Sequence, residues 1–227
     1  MLADFASLKQ VKRLGETILQ RYPAIHRLIN NAGMANLKYH ESEDHLEMVF
    51  AVNHLAPFLL TNTVLPALKN AQDCRIINVS SNAHRMGVID FGDIGYKDNY
   101  TWKRAYGQSK LANILFTKEL AKRLESSATV NCMHPGVVRT NIGANNNPLL
   151  QKILMFLIAP FARSPKKGAE TIFFLATDPV GGQVSGRYFI DCAEKRPSTQ
   201  ANRQDLAEKL WVFSERLIDK ALAHSNS

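Results

Sequence analysis

The stretch Arg75-Ile76-Ile77-Asn78-Val79-Ser80-Ser81 decides the fold, because it is a short apolar run that ends in two hydroxyl side chains. A short run of this kind, apolar on both faces, is typical of a strand buried inside a parallel sheet. Open parallel sheets bind their ligands at the carboxyl ends of the strands. The stretch therefore predicts a central strand whose end carries Ser81 to the functional edge of an α/β domain.

Other parts of the sequence predict the neighbours of this strand. The run Leu28-Ile29-Asn30-Asn31-Ala32-Gly33 predicts a strand at 27–31, buried on both sides, that ends in amides and a glycine. Further strands are predicted at 129–133, before the turn His134-Pro135-Gly136, and at 186–191. The apolar periodicity predicts helices at 8–21 with Ser7 as N-cap, and at 42–68, 106–124, 167–176 and 201–223.

Tyr106 and Lys110 stand four residues apart at the start of a predicted helix. Residues at this spacing share a helix face, so the ammonium can lie beside the phenol. A free phenol has a pKa near ~10, and one positive charge at roughly 4 Å contributes about 4 kcal/mol at an effective dielectric constant of ~20. We expect Lys110 to lower the pKa of Tyr106 toward neutrality, where a phenol can act as a general acid or base. Such pairs also occur on solvated helix faces, so the neighbouring motifs decide the interpretation.

Four motifs accompany this pair in a fixed order. They are Asn30-Asn31-Ala32-Gly33, then Asn53, then Ser81 with Tyr106 and Lys110, and finally His134-Pro135-Gly136 leading to Thr140. With these motifs the chain resembles the short-chain dehydrogenase/reductase family, and within it the retinol-dehydrogenase-like branch. The resemblance runs from the first residues to Trp211 and beyond. It implies one domain, 1–227, with a Rossmann-like doubly wound parallel sheet.

The resemblance also implies a role for each site residue. It makes Tyr106 the catalytic acid/base, Lys110 the group that lowers its pKa and holds the ribose, and Ser81 the group that orients the substrate oxygen. Asn53 is implied to bind a water that relays protons to the lysine. The implied cofactor contacts are Asp4 near the adenine, Asn31 at the ribose, and Ala32, Gly33, Tyr106, Lys110, Pro135, Gly136, Val138 and Thr140. For Asp4 and Asn31, strand-end capping is the alternative role.

The reaction implied is NAD(P)-dependent hydride transfer between an alcohol and a carbonyl on a small apolar, retinoid-like substrate. The branch that the chain resembles favours NADP over NAD as the cofactor. The apolar segment 149–161 is implied to be a substrate lid, with a core or subunit contact and docking on a membrane surface as the alternatives. Tyr100 and Trp102 either line the mouth of the site or pin the long loop before the helix.

One expected part of the family pattern is missing. The family begins with a strand, a glycine-rich turn and a helix whose amides hold the cofactor pyrophosphate. The twelve glycines of this chain form neither G-x-G-x-x-G nor G-x-x-x-G-x-G. We expect a sheet truncated by its first two strand-helix units, which would bare the edge of the 27–31 strand. Three hypotheses follow: an active oxidoreductase, a catalytically silent binding or interaction module, and a native product that is longer than this sequence.

Composition and residue spacing argue against nucleic-acid-binding, metal-binding and membrane-spanning classes of protein. The net charge of +8 comes from basic residues scattered along predicted helices, which favours solvated surfaces and does not favour a nucleic-acid site. Cys74, Cys132 and Cys192 lie far apart, and the histidines lack metal-ligand spacing. We therefore expect no metal and a reducing compartment. No apolar run reaches the ~20 residues of a membrane span. A cytoplasmic location is expected, and peripheral membrane contact and self-association stay open.

Overall fold

A five-stranded sheet forms the centre of the computed structural model, which describes residues 1–125, 127–136 and 163–224. The first four strands pair in parallel in sequence order, and the fifth pairs antiparallel with the fourth. The predicted strands are thus confirmed, with small changes at their ends. The strands are β1 (Arg27–Asn30), β2 (Arg75–Val79), β3 (Thr129–His134), β4 (Tyr188–Ile190) and β5 (Ala193–Glu194).

Helices pack on both faces of the sheet, so the Rossmann-like doubly wound fold is confirmed. A π-helical turn occupies Ala51–Leu55, and 3-10 turns occupy Asn82–Met86 and Gln200–Asn202. The predicted 149–161 segment lies outside the described residues. Numbered through the described residues, the helices are α1 (Leu8–Arg21), α2 (Met48–Phe50), α3 (Ala56–Thr63), α4 (Leu65–Lys69), α5 (Trp102–Leu124), α6 (Pro165–Thr177), α7 (Pro179–Gln183) and α8 (Gln204–His224).

The alternation of side chains along the strands divides the interior into two cores. Ile76 of β2 and Val130 of β3 are buried in the larger core, which also contains side chains of α1, α3, α5 and α8. Ile77, one position after Ile76, and Met133, three positions after Val130, are buried in a smaller core with Leu175 of α6. Successive residues of a strand point to opposite faces of the sheet, so each core takes every second residue.

The prediction that the 27–31 strand is buried on both sides is wrong. β1 is the edge strand of the described sheet, and its Ile29 side chain is 43% exposed on the side of the smaller core. The next residue, Asn30, points to the other side, where its amide donates to Thr61 Oγ1 (3.0 Å) and to Asn78 Oδ1 (2.7 Å). The apolar run therefore lies half in solvent, because the smaller core does not extend to this edge.

Several helix starts and caps differ from the predictions. The predicted 42–68 helix begins only at Met48, because Glu47 accepts hydrogen bonds from the Val49 and Phe50 amides and pairs with Glu41 in a β-bridge. The predicted 106–124 helix begins earlier, at Trp102. Ser7 does precede α1 as predicted, but its side chain makes no capping bond; the carboxylate of Asp44 accepts from the Leu8 amide at 2.7 Å instead.

Replacement of each tryptophan tests how much the stability of the larger core depends on the packing of α8. Trp211 is 5% exposed, and its ring centroid lies 4.7 Å from that of Phe58 and 5.8 Å from that of Phe116, whereas Trp102 is 41% exposed. We expect Trp211→Ala to lower the free energy of unfolding by about 3–5 kcal/mol, because it leaves a cavity in the core. Trp102→Ala, the matched control, should change it by less than about 0.5 kcal/mol. Urea denaturation measures both, and equal losses would contradict this account of the core.

Candidate active site

The turn that follows β2 lies directly on α5, and this contact brings Ser81 to Tyr106. A Cβ added to Gly87 would lie 2.3 Å from the carbonyl oxygen of Gly107, so only glycine allows the two backbones to approach this closely. Ser81 precedes the 3-10 turn and accepts a hydrogen bond from the Ala83 amide at 3.2 Å. The Ser81 side chain also lies close to the phenol of Tyr106 and lowers its pKa. The predicted proximity of serine and tyrosine is therefore confirmed.

Lys110 reaches the same place from one turn further along α5. Its side chain is buried, and its Nζ donates to the carbonyl oxygen of Val79, the last residue of β2, at 3.2 Å. The ammonium lies 5.5 Å from the centroid of the Tyr106 ring. Burial lowers the pKa of Lys110 to about 8, because desolvation disfavours its charged form.

The expectation that Lys110 lowers the pKa of Tyr106 is wrong. Burial raises the pKa of Tyr106 above its ordinary value, and the nearby Ser81 hydroxyl opposes this rise only in part. The reason follows from the pKa of Lys110: at a pH high enough to ionise a phenol, near ~10, the lysine has already lost its proton and supplies no positive charge. At neutral pH the pair consists of a protonated phenol beside an ammonium.

Asn53 lies in the π-helical turn between α2 and α3 and is fully buried. Its side chain accepts from the Met34 amide at 2.8 Å, donates to the Met34 carbonyl at 2.9 Å and donates to Ser109 Oγ at 3.0 Å. Asn53 therefore fastens the loop after β1 to α5. Turns of this kind are frequent at functional sites. The water-relay role of Asn53 stays a prediction.

Gly33 completes the group at the end of β1. A Cβ at this position would lie 3.3 Å from both Asn53 Oδ1 and Lys110 Nζ. A larger residue at position 33 would thus fill the space beside the lysine. The structure brings together Gly33, Asn53 and Lys110 from three separate elements, with Tyr106 one turn away on α5.

The other predicted cofactor residues are spread along the strand ends. Asn31 and Ala32 are exposed just after β1, and Pro135 and Gly136 follow β3 at the same edge of the parallel sheet. Asp4 is exposed and makes local hydrogen bonds, from the Ala6 amide at 2.9 Å and to the Gln10 side chain at 3.1 Å. Val138 and Thr140 lie outside the described residues.

His84 holds Ser81 in place, a function that sequence analysis missed. Its Nε2 accepts from the Ser198 amide at 3.0 Å, so the proton of the neutral ring is on Nδ1, which donates to the Ser81 carbonyl at 2.7 Å. Burial lowers the pKa of His84 and favours this neutral form. The spacing of three residues between Ser81 and His84 matches a 3-10 turn and was the available signal. No sequence pattern indicated the contact between His84 and Ser198.

The long loop between β2 and α5 is pinned to the body by Tyr100. The Tyr100 hydroxyl donates to the Asn36 carbonyl at 3.0 Å, and its ring meets that of Tyr39 edge-on at 5.8 Å. Of the two predicted roles for Tyr100, these contacts favour the structural one. The Trp102 side chain is largely exposed at the start of α5.

Two features are absent from the described part of the chain. None of the described helices combines the length and apolar character needed to cross a membrane. In the same part of the chain, no three or more His, Cys, Asp and Glu side chains are grouped so that they could hold a metal ion.

Comparison with known sequences identifies relatives over most of the chain. The family described as short chain dehydrogenase matches residues 1–150. Retinol dehydrogenase 14 of Homo sapiens is 45% identical over 218 residues, which cover 95% of this chain and 65% of that protein. Retinol dehydrogenase 13 of Mus musculus is 41% identical over 229 residues, which cover 98% of this chain and 69% of that protein. The chain thus spans 65% to 69% of the length of these relatives.

Solved structures share the fold. An uncharacterized protein from Mycobacterium paratuberculosis matches with a TM-score of 0.75 and 28% identity, over 96% of this chain and 74% of that one. The Pseudomonas aeruginosa RhlG/NADP active-site complex matches with a TM-score of 0.62 and 25% identity, over 83% of this chain and 73% of that one. The same sheet and helix arrangement therefore occurs in a protein that binds NADP.

Removal of the Ser81 hydroxyl tests the site geometry. The Ser81 hydroxyl lowers the pKa of Tyr106, so we expect Ser81→Ala to raise that pKa further, because the phenolate loses a nearby donor. Ser80→Ala is the matched control, since Ser80 donates to the Lys110 carbonyl at 2.7 Å. NMR titration of ring-labelled tyrosine measures the change. An unchanged titration in Ser81→Ala, or an equal shift in both variants, would contradict the contact.

Proposed function

Since this chain belongs to the short-chain dehydrogenase family, we propose that it is a nicotinamide-dependent oxidoreductase that interconverts an alcohol and a carbonyl on an apolar substrate. The observation that supports this most directly is the meeting of Ser81, Tyr106 and Lys110 at the carboxyl end of β2. A hydroxyl, a phenol and an ammonium at one strand end provide the groups that bind, protonate and stabilise a reacting oxygen.

The proton chemistry follows from the protonation states at neutral pH. Ser81 holds the substrate oxygen next to the phenol, and the Tyr106 hydroxyl protonates that oxygen during carbonyl reduction. The phenolate that remains lies near the Lys110 ammonium, which stabilises it. In alcohol oxidation the same phenolate accepts the proton. Tyr106 is thus the general acid/base and Lys110 its electrostatic partner.

The residues around Gly33 fit the nicotinamide-ribose end of a dinucleotide cofactor. The space left by the missing Cβ of Gly33 opens onto the Lys110 ammonium, a donor for ribose hydroxyls. Asn31, Ala32 and the Pro135-Gly136 turn would hold the rest of this end. When bound, such a cofactor supplies or accepts the hydride. No glycine-rich phosphate turn occurs in the sequence, so this chain offers contacts mainly at the nicotinamide side. NADP is our preferred cofactor, consistent with the NADP-bound fold relative.

The substrate class rests on the relatives. Two proteins that resemble this chain over nearly its whole length are named retinol dehydrogenases. Retinol is a long apolar primary alcohol, so we propose a retinoid-like or other apolar alcohol, or the matching aldehyde, as substrate. The predicted lid at 149–161, rich in apolar residues, supports the same class.

A second candidate is a binding module without turnover, and the β1 edge favours it. Ile29 is 43% exposed there, and a cavity of about 370 Å³ next to the strand is lined by apolar side chains that include Ile25 and Leu28. Edge strands with exposed apolar residues are sites of association. This candidate predicts a folded chain that binds a partner and catalyses nothing.

Replacement of Tyr106 tests the chemistry. We expect Tyr106→Phe to reduce turnover of an apolar aldehyde such as retinal by about 10²–10⁴-fold, because the proton donor is lost while the ring stays. Tyr100→Phe, the matched control, removes a hydroxyl that only pins the loop and should keep turnover within about twofold. Consumption of NADPH is the measurement. Full activity of Tyr106→Phe would contradict the proposed role.

Titration of the 227-residue chain with NADPH and NADH separates the two candidates. Saturable binding that raises the melting temperature is expected for the oxidoreductase, because a ligand that binds only the folded state stabilises it. Tighter binding of NADPH would support our preferred cofactor. A folded chain whose melting temperature neither dinucleotide changes would favour the binding module. The Lys110→Met variant is the control, since it removes the proposed ribose contact.

A further inference from the structure

The segment 195–202 between β5 and α8, which we call the strap, lies against the 3-10 turn that follows β2. Its Ser198 amide donates to Nε2 of His84 at 3.0 Å. Its Arg196 carbonyl accepts from Nη2 of Arg85 at 3.0 Å. The strap therefore binds two successive residues of the turn, although each pair is separated by more than a hundred residues of sequence.

His84 connects the strap to Ser81. Its Nδ1 donates to the Ser81 carbonyl at 2.7 Å, and its backbone amide donates to the same oxygen at 3.0 Å. Both partners of the imidazole ring are backbone groups: an amide N–H only donates, and a carbonyl oxygen only accepts. The ring must therefore carry its proton on Nδ1 and accept on Nε2, and no side-chain rotation in a partner can reverse this assignment.

The surroundings of His84 favour the neutral ring. His84 is fully buried, and the Tyr188 ring of β4 meets it edge-on, with the centroids 5.1 Å apart. Arg85 of its own turn and His134 of β3, once protonated, oppose a positive charge on the imidazole. Burial and Arg85 lower the pKa of His84. Nε2 thus stays available to accept from the strap at physiological pH.

The strap is itself fixed to the helix that carries Tyr106. The side-chain amide of Asn202 donates to the Ser198 carbonyl at 3.2 Å, and Asn202 Oδ1 accepts from Nζ of Lys118 on α5 at 2.9 Å. Tyr106 belongs to the same helix. The two hydroxyl groups of the site are therefore held by one element: Tyr106 directly, and Ser81 through the strap.

We propose that the strap is a positioning element of the active site, in which the Ser198 amide holds the ring of His84 and His84 holds Ser81 where its hydroxyl reaches Tyr106. The bond to Ser81 fixes one end of the imidazole, and the Ser198 amide fixes the other, so the strap sets the orientation of the ring. This inference rests on the proposed function only where it concerns turnover. The bonds themselves belong to the chain without cofactor or substrate.

Nitrogen-15 NMR of the histidine-labelled wild-type chain tests the geometry directly. The two imidazole nitrogens of a neutral histidine have distinct shifts, and these identify the protonated one. We expect the His84 resonance, assigned by its loss in His84→Asn, to show the proton on Nδ1 at pH 7. A proton on Nε2 would overturn the proposal, because Nε2 could then not accept from the Ser198 amide. This result holds whatever the variants or the enzyme reaction do.

Three variants break the series of bonds at different points. His84→Phe keeps an aromatic ring but loses both bonds. His84→Asn keeps an N–H that can reach the Ser81 carbonyl, but its side chain is too short to reach the strap. Lys118→Met removes the anchor of the strap on α5. Lys122→Met is the matched control, because Lys122, one turn later on the same helix, binds Glu208 of α8 at 2.6 Å.

NMR titration of ring-labelled tyrosine, without cofactor, follows the consequence for Tyr106. The Ser81 hydroxyl lowers the pKa of Tyr106, so a displaced Ser81 should let that pKa rise. We expect the largest rise in His84→Phe, a clear rise in His84→Asn, a smaller one in Lys118→Met and none in Lys122→Met. A wild-type titration in His84→Asn would overturn the proposal, since the bond to Ser81 would then suffice. A rise in Lys122→Met as large as in Lys118→Met would also contradict it.

Turnover provides the second readout. His84→Phe should lower kcat by between about tenfold and 10²-fold with the KM for NADPH changed little, because a displaced Ser81 misplaces the reacting oxygen. His84→Asn should stay at least about fivefold below wild type, and Lys122→Met within about twofold of it. A fall in kcat without a change in the Tyr106 titration would overturn the positioning role. If the titration shifts as expected in a chain with no turnover, the positioning role stands and the proposed function fails.

Discussion

The carbonyl oxygen of Val79 is the acceptor on which the site depends. It stands at the end of β2 and receives the Lys110 ammonium and the Asn113 amide, each at 3.2 Å. Both donors come from α5, so these two bonds fix the helix relative to the sheet at the place where Tyr106 must meet Ser81. The rest of the arrangement supports this one: the Gly87–Gly107 contact brings the turn close, and Asn53 fastens the loop after β1.

Burial controls the electrostatics of this arrangement. Lys110 has a pKa of about 8, while the pKa of Tyr106 is raised, so at neutral pH the chain holds a positive charge beside a neutral phenol. In the proposed reaction this state would suit proton donation to a carbonyl, because the charge that stabilises the phenolate would already be in place before the proton leaves. The energy that keeps the ammonium buried comes from its carbonyl acceptor and from the packing of α5, 23 residues long, against the sheet.

The strands at 75–79 and 129–134 could be predicted from the sequence because buried parallel strands are short apolar runs, and their residues contact neighbours on both faces. The tail helix was also predictable from apolar periodicity. An edge position was expected for the 27–31 strand, but its apolar run also predicted burial on both sides, and Ile29 is exposed instead. The late start of the helix at Met48 depends on Glu47 and its pairing with Glu41, which no local pattern indicates.

By itself, the sequence determined the order of strands and helices and the identities of Ser81, Tyr106 and Lys110, because residue spacing along a helix or strand sets which side chains share a face. Only the tertiary structure decided the direction of the pKa shift of Tyr106, since burial is a property of the packed chain: it raises the pKa of the phenol and also lowers the pKa of Lys110, whose charge the spacing alone would predict. The contacts of His84 depend on the tertiary structure in the same way. Its partner Ser198 lies more than a hundred residues away, and only folding brings the two within hydrogen-bond distance.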